Sequence, residues 1–308
     1  MDAYMKKLEI TIAGVTLPNP VMPASGTYEY TPQHTDFFSP SILGAVVNKT
    51  VFSRPRPGNP PPRICETPSG MLNAIGIPSP GIDEFIKKQL PVMAGFGVPV
   101  IVSVAGSTVK EFCTLTEKIA ETGKADMIEL NLSCPNLQEG TEWAKDKEQL
   151  FEVVRAVTRI SPIPVVPKLS PSVTDIAEMA SIAEDAGAHA VALINTYKGL
   201  KIDITTRKPL LGNITGGLSG PAVLPLAVYA VWEVFKRVSI PIIGMGGVHS
   251  WESTVEMMLA GASAVGVGMY NFINPMCMKE IIEGLSRYAD DCNLGSITQI
   301  IGEAHSGR

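Results

Sequence analysis

Short apolar runs, each followed by a stretch with helical spacing, recur along almost the whole chain, and this alternation constrains the fold more than any single motif. The runs that read as strands are Val21–Ala24, Ala45–Lys49, Val100–Val104, Met127–Leu130, Val165–Lys168, Ala190–Ile194, Ile242–Gly244 and Ala264–Val267. Helical spacing covers Asp83–Met93, Val109–Glu121, Lys147–Ile160, Thr174–Ala186, Ala222–Arg237, Ser250–Leu259 and Pro275–Tyr288, while Pro32–Phe38 is only weakly helical. Ser107-Thr108, Thr174-Asp175 and Ser250 stand where N-caps belong, and Pro275 is expected to open the last helix. Repeated βα units of this kind build a parallel sheet covered by helices. A run of eight strands predicts an α/β fold of the (β/α)8 TIM-barrel type, since doubly wound sheets rarely need so many.

Composition agrees with that architecture. Hydrophobic residues make up 45% and charged residues 18%, which suits strands buried on both faces. No linker or charge block divides the 308 residues, so a single domain over 1–308 is expected. The net charge of −5 leaves no basic surface for nucleic acid. Arg54, Arg56 and Arg63 cluster in a proline-rich stretch and read as loop-bracing or solvated. The five cysteines (Cys65, Cys113, Cys134, Cys277, Cys292) are odd in number and form no C-x-x-C pair. That argues against a disulfide framework and against a zinc or iron–sulfur site held by this chain alone. No apolar signal core follows the amino terminus and no run is long enough to span a bilayer, so a cytoplasmic setting without a membrane is expected. Two segments break the rhythm, Val51–Pro80 and Tyr197–Gly220, and are expected to be long loops over a functional site.

In a barrel of this type the residues just after the strands form the site. Those positions hold Ser25-Gly26, Lys49-Thr50, Ser103, Asn131 with Cys134, Lys168, Asn195-Thr196, Gly246-Gly247 and Gly268-Met269. The two glycine-bearing ends, reached by the last two strands, fit a phosphate cradle, because missing side chains let backbone N–H groups approach an anion. Tight-turn glycines are the plain alternative at either loop alone. Lys49 and Lys168 end buried strands, where each could pair with a structural carboxylate or offset charge developing on a bound ring. Asn73, Asn131, Asn136 and Asn195 could bracket a heterocycle bearing amide and carboxylate groups. Cys134, before Pro135 and between two asparagines, could exchange a proton with such a ring, although most free cysteines are simply small buried hydrophobes. His34, His189, His249 and His305 lack metal-ligand spacing and read as structural or exposed, and no metal is expected. Trp143, Trp232 and Trp251 read as packing residues.

These motifs together resemble the class 1 dihydroorotate dehydrogenases, in particular the 1B branch, over nearly the whole chain. The resemblance is carried by Pro23-Ala24-Ser25-Gly26, Asn48-Lys49-Thr50, Met71-Leu72-Asn73-Ala74-Ile75-Gly76, Asn131-Leu132-Ser133-Cys134-Pro135-Asn136, Asn213-Ile214-Thr215-Gly216-Gly217-Leu218-Ser219-Gly220 and Ile240-Pro241-Ile242-Ile243-Gly244-Met245-Gly246-Gly247. It implies an FMN-bearing barrel that oxidises dihydroorotate to orotate in pyrimidine biosynthesis. By that resemblance Cys134 is the base for the C5 proton while a hydride leaves C6 for the flavin. Lys49 would touch flavin and substrate, and Lys168 would offset charge on the reduced flavin. Ser25, Thr50, Ser103, Asn131, Ile194, Gly220, Gly246, Gly247, Gly268 and Met269 would line the cofactor site. Asn73, Ala74, Ile75, Gly76, Ile77, Asn131, Asn136, Asn195 and Thr196 would hold the substrate. The 1B likeness further implies a partner subunit carrying FAD and a [2Fe–2S] cluster that passes electrons to NAD, around a homodimeric core of a heterotetramer.

Two positions depart from the family pattern. Ser103 stands where an asparagine near the flavin is usual, and Met269 where a threonine is usual at the phosphate loop. Both bear on cofactor affinity more than on reaction type. Competing readings are a related dihydropyrimidine dehydrogenase-like flavin subunit, a lyase forming a Schiff base on Lys168, and a non-catalytic scaffold barrel.

Overall fold

The computed structural model describes residues 6–132 and 143–307. Strands in chain order are β1 (Ile10–Ile12), β2 (Val15–Leu17), β3 (Val21–Pro23), β4 (Val46–Val47), β5 (Ile64–Thr67), β6 (Gly70–Asn73), β7 (Val100–Val104), β8 (Met127–Asn131), β9 (Val165–Lys168), β10 (Val191–Leu193), β11 (Tyr197–Gly199), β12 (Ile202–Asp203), β13 (Lys208–Pro209), β14 (Gly216–Ser219), β15 (Ile242–Met245) and β16 (Ala264–Val267). Eight of them make one parallel sheet in the order β3-β16-β15-β10-β9-β8-β7-β4. The ends of that sheet approach each other where the Gly44 N–H donates to the Val21 carbonyl at 2.8 Å. A Cβ on Gly44 would stand 2.0 Å from the Asn19 carbonyl oxygen, so only glycine lets the barrel close there. The predicted α/β barrel is therefore the observed architecture.

The barrel strands are buried along their length, as β7 (Val-Ile-Val-Ser-Val) illustrates. β-branched residues suit a pleated surface packed on both faces. Outside the sheet, helices present one apolar stripe inward. In the Lys147–Ile160 helix the buried set is Leu150, Val153, Val154 and Val157, the spacing of one helical face. Each fully buried aliphatic side chain contributes roughly 1.5–3 kcal/mol. Asp146 starts this helix by accepting the Gln149 N–H at 2.9 Å, and Thr108 and Asp175 cap their helices in the same way.

Three expectations need correction. Asp83–Met93 is not one regular helix but Ile82–Glu84, a π-helical turn Phe85–Gln89 and Leu90–Ala94. Pro91 has no N–H to give the preceding turn, and the chain widens just before it, with the Leu90 N–H reaching back to Phe85. Pro275 does not open the last helix; Cys277–Asp291 begins after Met276. The two long segments are not plain loops. β5 and β6 from the first, with β11 and β14 from the second, form a four-stranded antiparallel sheet in the order β11-β14-β6-β5. β12 and β13 add a small hairpin. A further hairpin, β1–β2, turns at Ala13-Gly14, both at positive φ, and buries Ile10, Ile12 and Leu17. No helix among the described residues is long and apolar enough to cross a membrane.

Candidate active site

The carboxyl ends of the barrel strands carry a continuous line of hydrogen-bonded polar side chains. In register, Ser103 of β7 lies beside Glu129 of β8, and Asn131 of β8 beside Lys168 of β9. Side chains alternate along a strand, so Glu129 and Asn131 share a face. Ser103 Oγ donates to Glu129 Oε1 at 2.7 Å and lies 2.9 Å from Thr50 Oγ1. Asn131 Nδ2 donates to Thr50 Oγ1 at 3.0 Å. Asn195 Nδ2 reaches Asn131 Oδ1 at 3.4 Å, and the Thr196 N–H donates to Asn195 Oδ1 at 2.8 Å. Asn48 holds Ser103 from behind, accepting its N–H at 2.6 Å and donating to its carbonyl at 3.3 Å. Thr50, Ser103, Glu129, Asn131 and Lys168 are all buried, and buried polar groups persist only when paired in this way.

Two lysines stand beside this line. The Lys168 amine donates to Ser25 Oγ at 3.2 Å, across the barrel from its own strand, and not to a structural carboxylate. The Lys49 side chain lies over Gly26, whose φ of +79° already favours glycine. A Cβ there would sit 2.4 Å from Lys49 Cδ and 2.6 Å from its Nζ. Gly26 is thus what lets Lys49 reach the mouth.

The antiparallel sheet roofs one side. Asn73, at the end of β6, donates to the Gly217 carbonyl of β14 at 3.3 Å. Thr196 packs against Gly217 so closely that a Cβ would lie 2.0 Å from its Oγ1. The two long segments therefore bring Asn73 to the same place as Asn195 and Thr196. Ala74, Ile75, Gly76 and Ile77 continue the chain from Asn73. Ala74 packs with Leu72 and Leu211, and its carbonyl accepts from Asn59 at 3.0 Å. The Ile75 carbonyl accepts the Asn59 N–H at 3.1 Å, Gly76 abuts Asn59, and Ile77 packs on Phe52 and Ala105. Arg56, in the same region, stacks 4.3 Å above the Phe52 ring, and Arg63 donates to the Asn59 and Pro57 carbonyls, so both brace the loop as expected.

At the ends of β15 and β16 the glycines differ: Gly246 and Gly247 hold φ of +125° and +76° and pack against Ala227 and Leu224, whereas a Cβ on Gly268 would meet nothing within 4 Å, so the backbone at Gly268 has room for a ligand's phosphate. His249 Nδ1 lies 2.8 Å from the Gly247 carbonyl oxygen and fixes the loop just ahead of the Trp251–Leu259 helix. Ile194 lies against Gly246, and the Met269 methyl group occupies the space a Cβ on Gly220 would need. Cys134 and Asn136 lie outside the described residues. Among the other thiols, burial pushes Cys277 up to about 12 and raises Cys113. Cys277 Sγ donates to Asn271 Oδ1 at 3.1 Å, an inert packing arrangement. Among the described residues no cluster of three or more His, Cys, Asp or Glu could hold a metal ion.

Glu129 and Asn48 escaped the sequence reading. Glu129 was embedded in an apolar strand, where an acidic residue amid Met, Ile and Leu was the available signal. The hollow of about 580 Å³ on the outer helices, lined by Pro225, Tyr229, Trp232 and Glu256, contains none of the polar residues described above.

Residues 7–288 match the family model described as dihydroorotate dehydrogenase. A protein of Caldicellulosiruptor saccharolyticus named dihydroorotate dehydrogenase B (NAD(+)), catalytic subunit, is 44% identical over 296 residues, covering 96% of this chain and 98% of its own. Similarly named proteins of Geobacillus kaustophilus and Thermoanaerobacter pseudethanolicus are each 44% identical, over 301 and 296 residues, and cover 97% and 96% of this chain; the Geobacillus protein is matched over 96% of its length and the Thermoanaerobacter protein over 98%.

Proposed function

The chain belongs to the dihydroorotate dehydrogenase family, and from that premise we propose that it is a class 1B catalytic subunit that oxidises dihydroorotate to orotate in pyrimidine biosynthesis. The observation that carries this reading is the hydrogen-bonded run from Thr50 through Asn131 and Asn195 to Thr196, roofed by Asn73 and flanked by Lys49 and Lys168. Amides in such a run suit a planar ring with carbonyl and carboxylate groups. Flavin dependence follows from the family, and FMN is the cofactor we assign. When bound, it supplies the acceptor for the hydride leaving C6.

The chain's own residues do the rest. Cys134, as thiolate, takes the C5 proton as the C5–C6 double bond forms, and the proton ends on its sulfur. A thiol with an ordinary pKa of about 8.5 can serve as base once its surroundings favour the anion. Lys49 contributes positive charge where substrate and cofactor meet. Lys168, held by Ser25, would offset charge on the reduced flavin. The Gly246-Gly247 and Gly268-Met269 loops hold the phosphate. Ile194 and Gly220 would shape the remaining wall, while Ala74, Ile75, Gly76 and Ile77, following Asn73, would hold the substrate together with the Asn136 amide.

The relatives are named as catalytic subunits, which implies a second subunit; we assign to it FAD and a [2Fe–2S] cluster that deliver electrons to NAD. One domain, residues 1–308, forms the catalytic subunit, acting in the cytoplasm as the homodimeric core of a heterotetramer. Exposed Ile64, Leu200, Ile202, Ile204 and Ile214, all on the β5 and β11–β14 region, suit contact with a second copy. Anaerobic mixing of purified protein with dihydroorotate tests the reaction. Bleaching with dihydroorotate but not with dihydrouracil supports it, and the reverse preference would favour a dihydropyrimidine dehydrogenase-like subunit.

A further inference from the structure

The pairing of β4 with β7 slips where Lys49 and Thr50 enter. Val46 and Val47 lie beside Val100 and Ile101, but the next bridge joins Val51 to Val104. Between these points the first strand spends one residue more than its partner, which makes a β-bulge. Had the earlier register continued, the Ser103 N–H would meet the backbone carbonyl of residue 48. It meets the side-chain Oδ1 of Asn48 instead, at 2.6 Å. The other end of that amide turns into the bulge, where Nδ2 donates to the Lys49 carbonyl at 2.8 Å. A longer bond of 3.3 Å runs from Nδ2 to the Ser103 carbonyl. Backbone N–H groups only donate and carbonyls only accept, so these partners fix which way the amide faces. Asn48 is 2% exposed, and its side chain takes the place of a peptide group in the sheet.

The bulge has a consequence for the mouth of the barrel. Successive side chains of a regular strand face opposite ways. Here the Thr50 hydroxyl meets Ser103 and Asn131, while the adjacent Lys49 side chain lies over Gly26. Thr50 is held by its own hydroxyl, and Val51 by backbone bonds to Ser103 and Ala105. Lys49 is tied through its carbonyl to Asn48. We infer that Asn48 is a positioning residue for Lys49, its amide holding the bulge that aims the lysine at the substrate. The inference rests on the role given to Lys49 under the proposed function. It requires an amide, because one side chain must both accept from Ser103 and donate to Lys49. When Asn48 is replaced, the Val51 N–H still donates to the Ser103 carbonyl at 3.0 Å, so the strands stay paired beyond the bulge while the Lys49 backbone loses its tie.

The test is a cycle of Asn48→Ala, Lys49→Ala and the double variant, each purified with FMN bound. The readout is the rate of anaerobic flavin bleaching by dihydroorotate. Asn48→Ala is expected to bleach about ten-fold more slowly than the wild type, as a small misplacement of a group at the reacting centre produces. In the Lys49→Ala background the same replacement is expected to change the rate by less than about two-fold, because the lysine it positions is already gone. An amide that merely steadies the sheet would slow both backgrounds by the same factor. A wild-type rate in Asn48→Ala, or equal slowing in both backgrounds, overturns the inference. Should Asn48→Ala fail to fold or to keep flavin, Asn48→Asp takes its place in the cycle and is judged by the same outcomes. A carboxylate still accepts from the Ser103 N–H but has no hydrogen for the Lys49 carbonyl. Failure of the parent reading is separate and appears as a wild-type flavin that dihydroorotate cannot bleach.

Discussion

At the scale of single residues, the groups at the barrel mouth differ in how plainly a sequence marks them. Lys168, Asn131 and Asn195 stood at strand ends, where an architecture alone marks a residue as functional. Glu129 lies two residues inside such an end, and a sequence gives no sign that its side chain would pair with Ser103. For the proton transfer, Cys134→Ala is expected to keep FMN but slow anaerobic flavin reduction by about 10²-fold or more, the usual contribution of a positioned base. Cys134→Ser is expected to fall between the two, since a hydroxyl occupies the same place with a less suitable pKa. Rapid-mixing absorbance measurements check both, and wild-type rates in the alanine variant would remove the thiol from its role. Gly26→Ala is expected to displace Lys49, because the added Cβ would lie 2.6 Å from its Nζ, and the positive φ adds strain. Reduction should slow and orotate should bind several-fold more weakly, while circular dichroism stays that of the folded barrel.

At the scale of elements, the barrel strands were legible because burial on both faces makes each one a short unbroken apolar run. Val100–Val104, Val165–Lys168 and Ala264–Val267 have the same bounds in sequence and structure. The antiparallel sheet was not legible. β14 reads Gly-Gly-Leu-Ser, which has little strand propensity, and its partner β6 lies far away in sequence, pairing Gly217 with Asn73. Long-range pairing, with space for close approach, makes this glycine-rich segment a strand. Gly217→Ala should therefore push against Thr196, whose Oγ1 would be 2.0 Å from the new Cβ, and separate β14 from Thr196. The expected result is at least a ten-fold loss of orotate affinity with flavin content unchanged, read by absorbance titration. Ser250 makes a capping box with Ser253 at the start of the Trp251–Leu259 helix, next to the His249–Gly247 contact. Ser250→Ala should cost about 1 kcal/mol in a denaturant unfolding experiment, the typical value of a lost N-cap.

At the scale of the whole molecule, the closed barrel supplies rigid strand ends, and the antiparallel sheet adds both a roof and an apolar outer surface. Ile204 is 89% exposed, with Ile202, Leu200, Ile64 and Ile214 also open to solvent, and exposed aliphatic side chains gathered on one sheet suit a contact with a second copy. Ile202→Lys combined with Ile204→Lys is expected to convert a dimer to a monomer in sedimentation velocity while leaving flavin bound. A wild-type protein already monomeric at micromolar concentration would contradict the dimeric core. The function itself lies at the mouth of the barrel, in what it does to one substrate. It is tested most directly by adding dihydroorotate, without oxygen, to the purified flavin-bearing protein and following the flavin absorbance. Rapid loss of the oxidised flavin band with stoichiometric appearance of orotate is expected; a band that persists at saturating dihydroorotate would contradict dihydroorotate oxidation at this site.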